Sequence, residues 1–250
     1  MILSVRGLAF RYPGRSVLKD INFSVEKGEC AALLGTNGAG KSTLLKCIDR
    51  ILKAQCGTVL IENNEIFKLN SIELARKVGY VSQQQSSIRT TVFDSVLLGR
   101  KPYIKWNASK EDILIANKAI EVLELGDYSL RFLDELSGGE LQKVVIARAI
   151  AQKPEVLLLD EPTSNLDLKN QLEVIRIIHK IVRFQGIAAV MIVHDLNLAM
   201  RFADKFVLLK DGTIFAAGGR GIMTPENIES VYSVPVAVEN YRNIPVVVPL

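Results

Sequence analysis

At 250 residues with 48% hydrophobic content, the chain can bury one sizeable core, which excludes a disordered protein. Its formal charge of +4 comes from lysines, arginines and acids mixed along the sequence without a basic run of five. With only 6% aromatic residues, that pattern argues against a nucleic-acid groove. The longest apolar stretches, such as Ile187 to Val193, fall short of the roughly 20 residues a bilayer span requires, and Met1-Ile2-Leu3-Ser4-Val5-Arg6 lacks a signal-peptide pattern. Any membrane role is therefore expected to be peripheral.

The first third reads as short strands and turns. Leu3 to Arg11, a turn at Pro13-Gly14 and Val17 to Val25 form an antiparallel layer, which Gly57 to Glu62 and the Asn63-Asn64 turn extend. Between them the apolar run Ala31-Ala32-Leu33-Leu34 reads as a buried strand. It runs into Gly35-Thr36-Asn37-Gly38-Ala39-Gly40-Lys41-Ser42, a complete phosphate-binding loop, with a helix expected over Ser42 to Leu52. The spacing has a physical cause. Glycines let the backbone curl so that its N–H groups point inward at phosphate oxygens, Lys41 reaches the β- and γ-phosphates, and Ser42 offers a hydroxyl to Mg²⁺. The dipole of the following helix favours the same anion.

Gly79-Tyr80-Val81-Ser82 returns as a strand of a central sheet, and from Thr90 to Lys153 the pattern turns helical. Thr91 and Ser109 are expected N-caps and Gly126 a stop. Ser109-Lys110-Glu111-Asp112 reads as a capping box ahead of Ile113, Ala116, Ile120 and Leu123 on one helical face. Glu155 to Leu159 and Ile187 to Val193 lack alternation, as parallel strands buried on both faces do. A helix from Asp167 to Phe184, closed by Gly186, joins them as a βαβ crossover. Phe206 to Leu209 and Thr213 to Ala216 flank the hairpin turn Asp211-Gly212, Thr224-Pro225 starts a short helix, and Val234 to Val248 reads as a final β pair. Cys30, Cys47 and Cys56, odd in number and without metal-type spacing, are expected to be small buried fillers in a reducing cytoplasm. Trp106 is expected to pack in the helical block, and His179 to lie on a helix surface.

Two further motifs carry chemistry. Val156-Leu157-Leu158-Leu159-Asp160-Glu161 is an apolar strand that delivers two carboxylates at its C-terminal end, where parallel sheets present ligands. Asp160 is placed to hold Mg²⁺ and Glu161 to polarise the water that attacks the γ-phosphate. Leu136-Ser137-Gly138-Gly139-Glu140 discriminates further, because a phosphate loop alone is shared by many unrelated nucleotide triphosphatases.

Taken together these motifs closely resemble an ATP-binding cassette (ABC) transporter ATPase, with the Leu-Ser-Gly-Gly motif in its family position. The remaining landmarks follow in order. Tyr12 matches the aromatic that stacks on adenine, and Gln83 matches the glutamine joining the core to the helical subdomain. Ser164-Asn165-Leu166-Asp167 matches the loop after the carboxylates, and His194 the switch histidine. The departures are Glu140 where many members carry Gln, Asn165 where Ala is common, and Leu141-Gln142-Lys143 where a more basic stretch is frequent.

The resemblance implies a single α/β domain over residues 1–250, with a phosphate-loop core, an antiparallel β subdomain and an inserted helical subdomain at 90–153. It implies ATP and Mg²⁺ as cofactors. Tyr12, Gly35, Asn37, Gly38, Ala39, Gly40, Lys41, Ser42, Thr43, Ser137, Gly138, Gly139 and Asp167 would bind the nucleotide, Ser42, Gln83 and Asp160 the metal, and Glu161, His194 and Gln83 would serve catalysis. It further implies a homodimer in which Ser137 and Gly139 of one subunit reach the γ-phosphate held by Lys41 of the other.

Leu98-Gly99-Arg100-Lys101-Pro102-Tyr103 and the ending Ile244-Pro245-Val246-Val247-Val248 are similar to importers of iron chelates, haem and vitamin B12. This implies transmembrane permease partners, an indirect extracytoplasmic substrate-binding protein, and a peripheral place on the cytoplasmic face of the membrane. The alternatives are a soluble ABC ATPase of iron-sulfur cluster assembly and an importer subunit for another cargo such as a metal ion. A DNA-repair cassette is disfavoured, since the 95 residues from Lys41 to Leu136 leave no room for a long coiled coil.

Overall fold

A computed structural model describes residues 1–83, 89–164, 166–242 and 244–250. Asn165, and residues 84–88 beyond Gln83, lie outside the described residues.

The chain opens with β1 (Leu3–Tyr12) and β2 (Arg15–Val25), crosses into β3 (Cys30–Leu34) and continues into α1 (Lys41–Ile48). β4 (Cys56–Ile61), β5 (Asn64–Glu65), α2 (Ser71–Lys77) and β6 (Val78–Val81) follow. Three helices come next, α3 (Val92–Leu97), α4 (Lys110–Val122) and α5 (Gly138–Ala151). The chain then alternates through β7 (Val156–Leu159), α6 (Leu168–Gln185), β8 (Ala188–Ile192) and α7 (Leu196–Phe202). β9 (Lys205–Lys210), β10 (Thr213–Gly218), α8 (Pro225–Tyr232), β11 (Val236–Tyr241) and β12 (Ile244–Pro249) complete it.

Strands β2-β1-β4-β5 form an antiparallel sheet, and β10-β9-β3-β8-β7-β6 form the central sheet, parallel except for the β9–β10 hairpin. β11 and β12 pair separately. Successive side chains of a strand point to opposite faces, and the central strands use both. Ala31, Leu33 and Leu158 belong to the core beneath the antiparallel sheet and α1, whereas Ala32, Leu34, Leu157 and Leu159 belong to the core shared with α3 to α7. Each fully buried Leu, Ile or Val contributes about 1.5–3 kcal/mol, so a strand apolar on both faces is held from both sides.

Most element signals survive contact with the structure. Thr91 accepts from the Asp94 amide, Ser109 and Asp112 form a reciprocal capping box, and Gly186 ends α6 in the left-handed region. Several details differ. On α4 the buried residues are Asp112, Ile115, Ala116, Ala119 and Ile120, while Ile113 is exposed. Glu124 turns the chain after α4 with φ +57, and Gly126 begins a short 3₁₀ turn instead of stopping the helix. Trp106 is 94% exposed and is no packing residue of the subdomain. Cys30 and Cys47 are buried, with thiols that burial pushes up to about 12, but Cys56 is exposed. α1 stops at Ile48, four residues earlier than its apolar spacing suggests.

Candidate active site

Four parallel strands that lie side by side, β3, β8, β7 and β6, end at one rim of the central sheet. Their extensions deliver the phosphate loop, His194, Asp160 with Glu161, and Gln83 respectively. Four sequence-distant motifs therefore meet because of strand order, as the carboxyl ends of a parallel sheet require.

The loop leads into a helix whose N-terminus is left open. Among the described residues, α2 to α8 each begin with an Asn, Thr, Ser or Asp whose side chain accepts an amide of the first turn. α1 instead begins at Gly40, with φ +107, no side-chain cap and no acid in the first turn. Unoccupied first-turn N–H groups at the positive end of a helix dipole form an anion site. Gly40 cannot be replaced cheaply, since a Cβ there would lie 2.9 Å from Leu18 and 3.2 Å from the Val17 carbonyl.

Lys41 is 6% exposed and folds over the loop, donating to the carbonyls of Gly35 at 2.7 Å and Thr36 at 2.9 Å. Burial pulls its ammonium below the ordinary lysine value, and the Glu161 and Asp160 carboxylates offset part of that. Ser42 Oγ donates to Asp160 Oδ1 at 2.9 Å, and the Tyr80 hydroxyl donates to Asp160 Oδ2 at 3.1 Å. Two hard oxygen donors thus converge from the loop and from β7, a donor set suited to Mg²⁺.

Glu161 adopts φ +53, a strained conformation for a residue with a side chain. A turn holds it there, with Ser164 N and Oγ both donating to the Glu161 carbonyl at 3.1 and 2.9 Å. Its carboxylate is then gripped on both oxygens. Gln83 Nε2 donates to Oε2 at 2.7 Å, and His194 Nε2 lies 2.7 Å from Oε1.

A cleft of about 260 Å³ opens over these groups, lined by Tyr12, Arg15, Val17, Asn37, Gly38, Gly40, Lys41, Ser42, Thr43 and Glu161. The exposed Tyr12 ring stands edge-on to Phe10 at 4.9 Å, leaving a face toward solvent. Gly35 and Ala39 are buried beneath the loop. The remaining sequence-derived candidates are not among the lining residues. Ser137 caps α5 through a capping box with Glu140, the Gly138 backbone is exposed, and Gly139 packs so closely on Asn170 that a Cβ would approach it to 2.9 Å. Asp167 caps α6 by accepting the Asn170 amide at 2.8 Å. Gly139 and Asp167 therefore meet at Asn170 at the start of α6, and neither they nor Ser137 and Gly138 line the cleft of their own chain.

Arg15 and Val17 are cleft residues that motif reading passes over. Their signal is that β2 runs back from the Pro13-Gly14 turn, pairing Arg15 with Tyr12. The Tyr80–Asp160 bond has a weaker signal, the neighbouring positions of β6 and β7.

A parallel sheet with a phosphate loop, an acidic strand end and an aromatic-walled cleft defines a nucleotide triphosphatase of the phosphate-loop class. The chain belongs to the ABC transporter family, whose model matches residues 18–164, and it is an ATP-binding ATPase of that family. It is 59% identical over 250 residues to an uncharacterised ABC transporter ATP-binding protein of Methanocaldococcus jannaschii, covering 100% of this chain and 98% of the relative. It is 35% identical over 244 residues to a petrobactin import ATP-binding protein of Bacillus subtilis, covering 97% of each. Among solved structures, it resembles one described as a metal-chelate type ABC transporter in an inward-facing conformation, with TM-score 0.87, 32% identity, and coverage of 100% of this chain and 97% of that one.

Proposed function

We propose that this chain is the nucleotide-binding subunit of a metal-chelate importer, for cargo of the iron-siderophore, haem or cobalamin type. It works as a homodimer beneath a membrane permease, on the cytoplasmic face, and is supplied indirectly by an extracytoplasmic substrate-binding protein. Support comes from the petrobactin relative and from the metal-chelate transporter whose fold the chain shares along its full length. Among the described residues no helix is long and apolar enough to cross a membrane, consistent with a permease supplied by other chains.

The observation that carries the catalytic reading is the double grip on Glu161. Adenine stacks on Tyr12, the loop amides and Lys41 receive the phosphates, and Glu161 takes the proton of the attacking water. Gln83 and His194 orient its carboxylate and place it beside the phosphate end of the cleft. Ser42, Asp160 and Gln83 would hold Mg²⁺, which neutralises charge on the phosphate oxygens when bound. Ser137, Gly138 and Gly139, which do not line the cleft of their own chain, complete the site of a second copy. Release of the shared γ-phosphate then parts the subunits and moves the permease.

Affinity purification of the chain from detergent-solubilised membranes tests the import reading. A multi-spanning permease is the expected partner. Recovery with a soluble scaffold and no membrane protein would overturn it.

A further inference from the structure

We propose that Tyr232 is a positioning residue for the ATPase: its hydroxyl accepts the Gly35 amide and holds the mouth of the phosphate loop in the shape that takes up nucleotide. The inference rests on the ATPase activity alone and not on the cargo or permease.

Gly35 is the first residue of the loop after β3, and it is confined. Its φ is +146, and a Cβ would lie 2.2 Å from the Leu209 carbonyl, so its backbone sits hard against the end of β9. Its N–H donates to the Tyr232 hydroxyl at 2.9 Å, and its carbonyl accepts from Lys41 Nζ at 2.7 Å. One residue thus links the C-terminal phenol to the lysine ammonium, and a rotation of its backbone moves the carbonyl on which Lys41 rests. Burial raises the Tyr232 phenol above its ordinary value, so it remains a neutral hydroxyl at physiological pH.

The phenol is itself held in place. Tyr232 is the last residue of α8, which is capped by Thr224 at its start and closed by Ser233 at φ +59. The β11–β12 hairpin that follows is tied to α7 by Asn197, whose Nδ2 donates to the Val247 carbonyl at 3.1 Å and whose Oδ1 accepts the Val247 amide at 2.7 Å. α7 begins two residues after His194. The C-terminal module therefore touches the loop at one end and the helix behind His194 at the other. Removing the acceptor leaves a buried amide that must find another partner, so the fraction of loops in the competent shape falls and the apparent dissociation constant rises by the same factor.

Full-length Tyr232→Phe keeps the ring and removes only the hydroxyl. The expected result is an increase of about three- to tenfold in the Kd for ADP by calorimetry and in the KM for ATP. The kcat should stay within about twofold, as for loss of binding shared by ground and transition states. The Gly35 amide, protected from hydrogen exchange in the nucleotide-free wild type, should exchange faster in the variant. A lower melting temperature with unchanged Kd and KM would reduce Tyr232 to a packing residue and overturn the proposal. Should the variant not fold, the wild type decides: rapid exchange at Gly35 without nucleotide would overturn it equally.

Discussion

Glu161 combines two features that seldom occur together without a reason, a left-handed backbone and a carboxylate engaged on both oxygens. A carboxylate accepts only, so Gln83 and His194 must both donate to it, which requires a proton on His194 Nε2. Glu161→Gln preserves shape but has a single acceptor oxygen, so the two grips cannot both keep their present direction. With no carboxylate to take the proton of water, phosphate release measured in a single turnover should fall by about 10²- to 10⁴-fold while ATP stays bound. Undiminished release would move the base to another residue. Lys41, Ser42 and Asp160 were legible in the sequence because each motif is contiguous and its spacing follows from backbone geometry. Tyr232 was not, since it stands 197 residues from Gly35 and no local pattern links a helix-end tyrosine to a loop amide.

At the scale of elements, the packing of the helices within the helical block depends on a buried ion pair. Arg100 Nε donates to Asp112 Oδ1 at 2.9 Å, with side chains 5% and 8% exposed. Arg100 also donates to the Ala151 carbonyl at the end of α5 and lies over the Tyr103 ring at 3.8 Å. Asp112 further accepts from Ser109, whose hydroxyl holds the carboxyl below the ordinary range. Asp112→Ala therefore removes the carboxylate half of the capping box and leaves a buried guanidinium without its counter-ion. The expected cost is about 3–5 kcal/mol, read as a lower urea midpoint. A shift under about 1 kcal/mol would mean that the Ala151 carbonyl and the Tyr103 ring suffice. The Ser109–Asp112 cap could be read from sequence because it is local. The buried side of α4 was legible through Ala116, Ile120 and Leu123, but its edge was not, because α3 and α5 both pack on the helix and bury Ile115 and Ala119 while leaving Ile113 exposed. α2 escaped notice for a related reason: it is seven residues long, with Leu74 its only buried side chain, although its Asn70–Glu73 capping box is a readable start.

For the whole molecule, the decisive question is whether two chains share each site, as the proposed dimer requires. The cleft over Lys41 lacks Ser137, Gly138 and Gly139 among its lining residues, and Gly139 packs on Asn170 at the start of α6. Under the proposed dimer, a two-fold interface makes each site from the loop of one copy and Ser137 to Gly139 of the other. Mixing Ser137→Arg subunits with Lys41→Ala subunits distinguishes this from a site confined to one chain. In a mixed dimer, the intact Lys41 belongs to the Ser137→Arg chain and meets the intact Ser137 of the Lys41→Ala chain, while the other site carries both lesions. With random pairing and one site able to turn over alone, the mixture should recover about a quarter of wild-type hydrolysis, although each variant alone is inactive. If each motif served only its own chain, every site would hold one lesion. The mixture would then be as inactive as its components, and the shared site would be refuted.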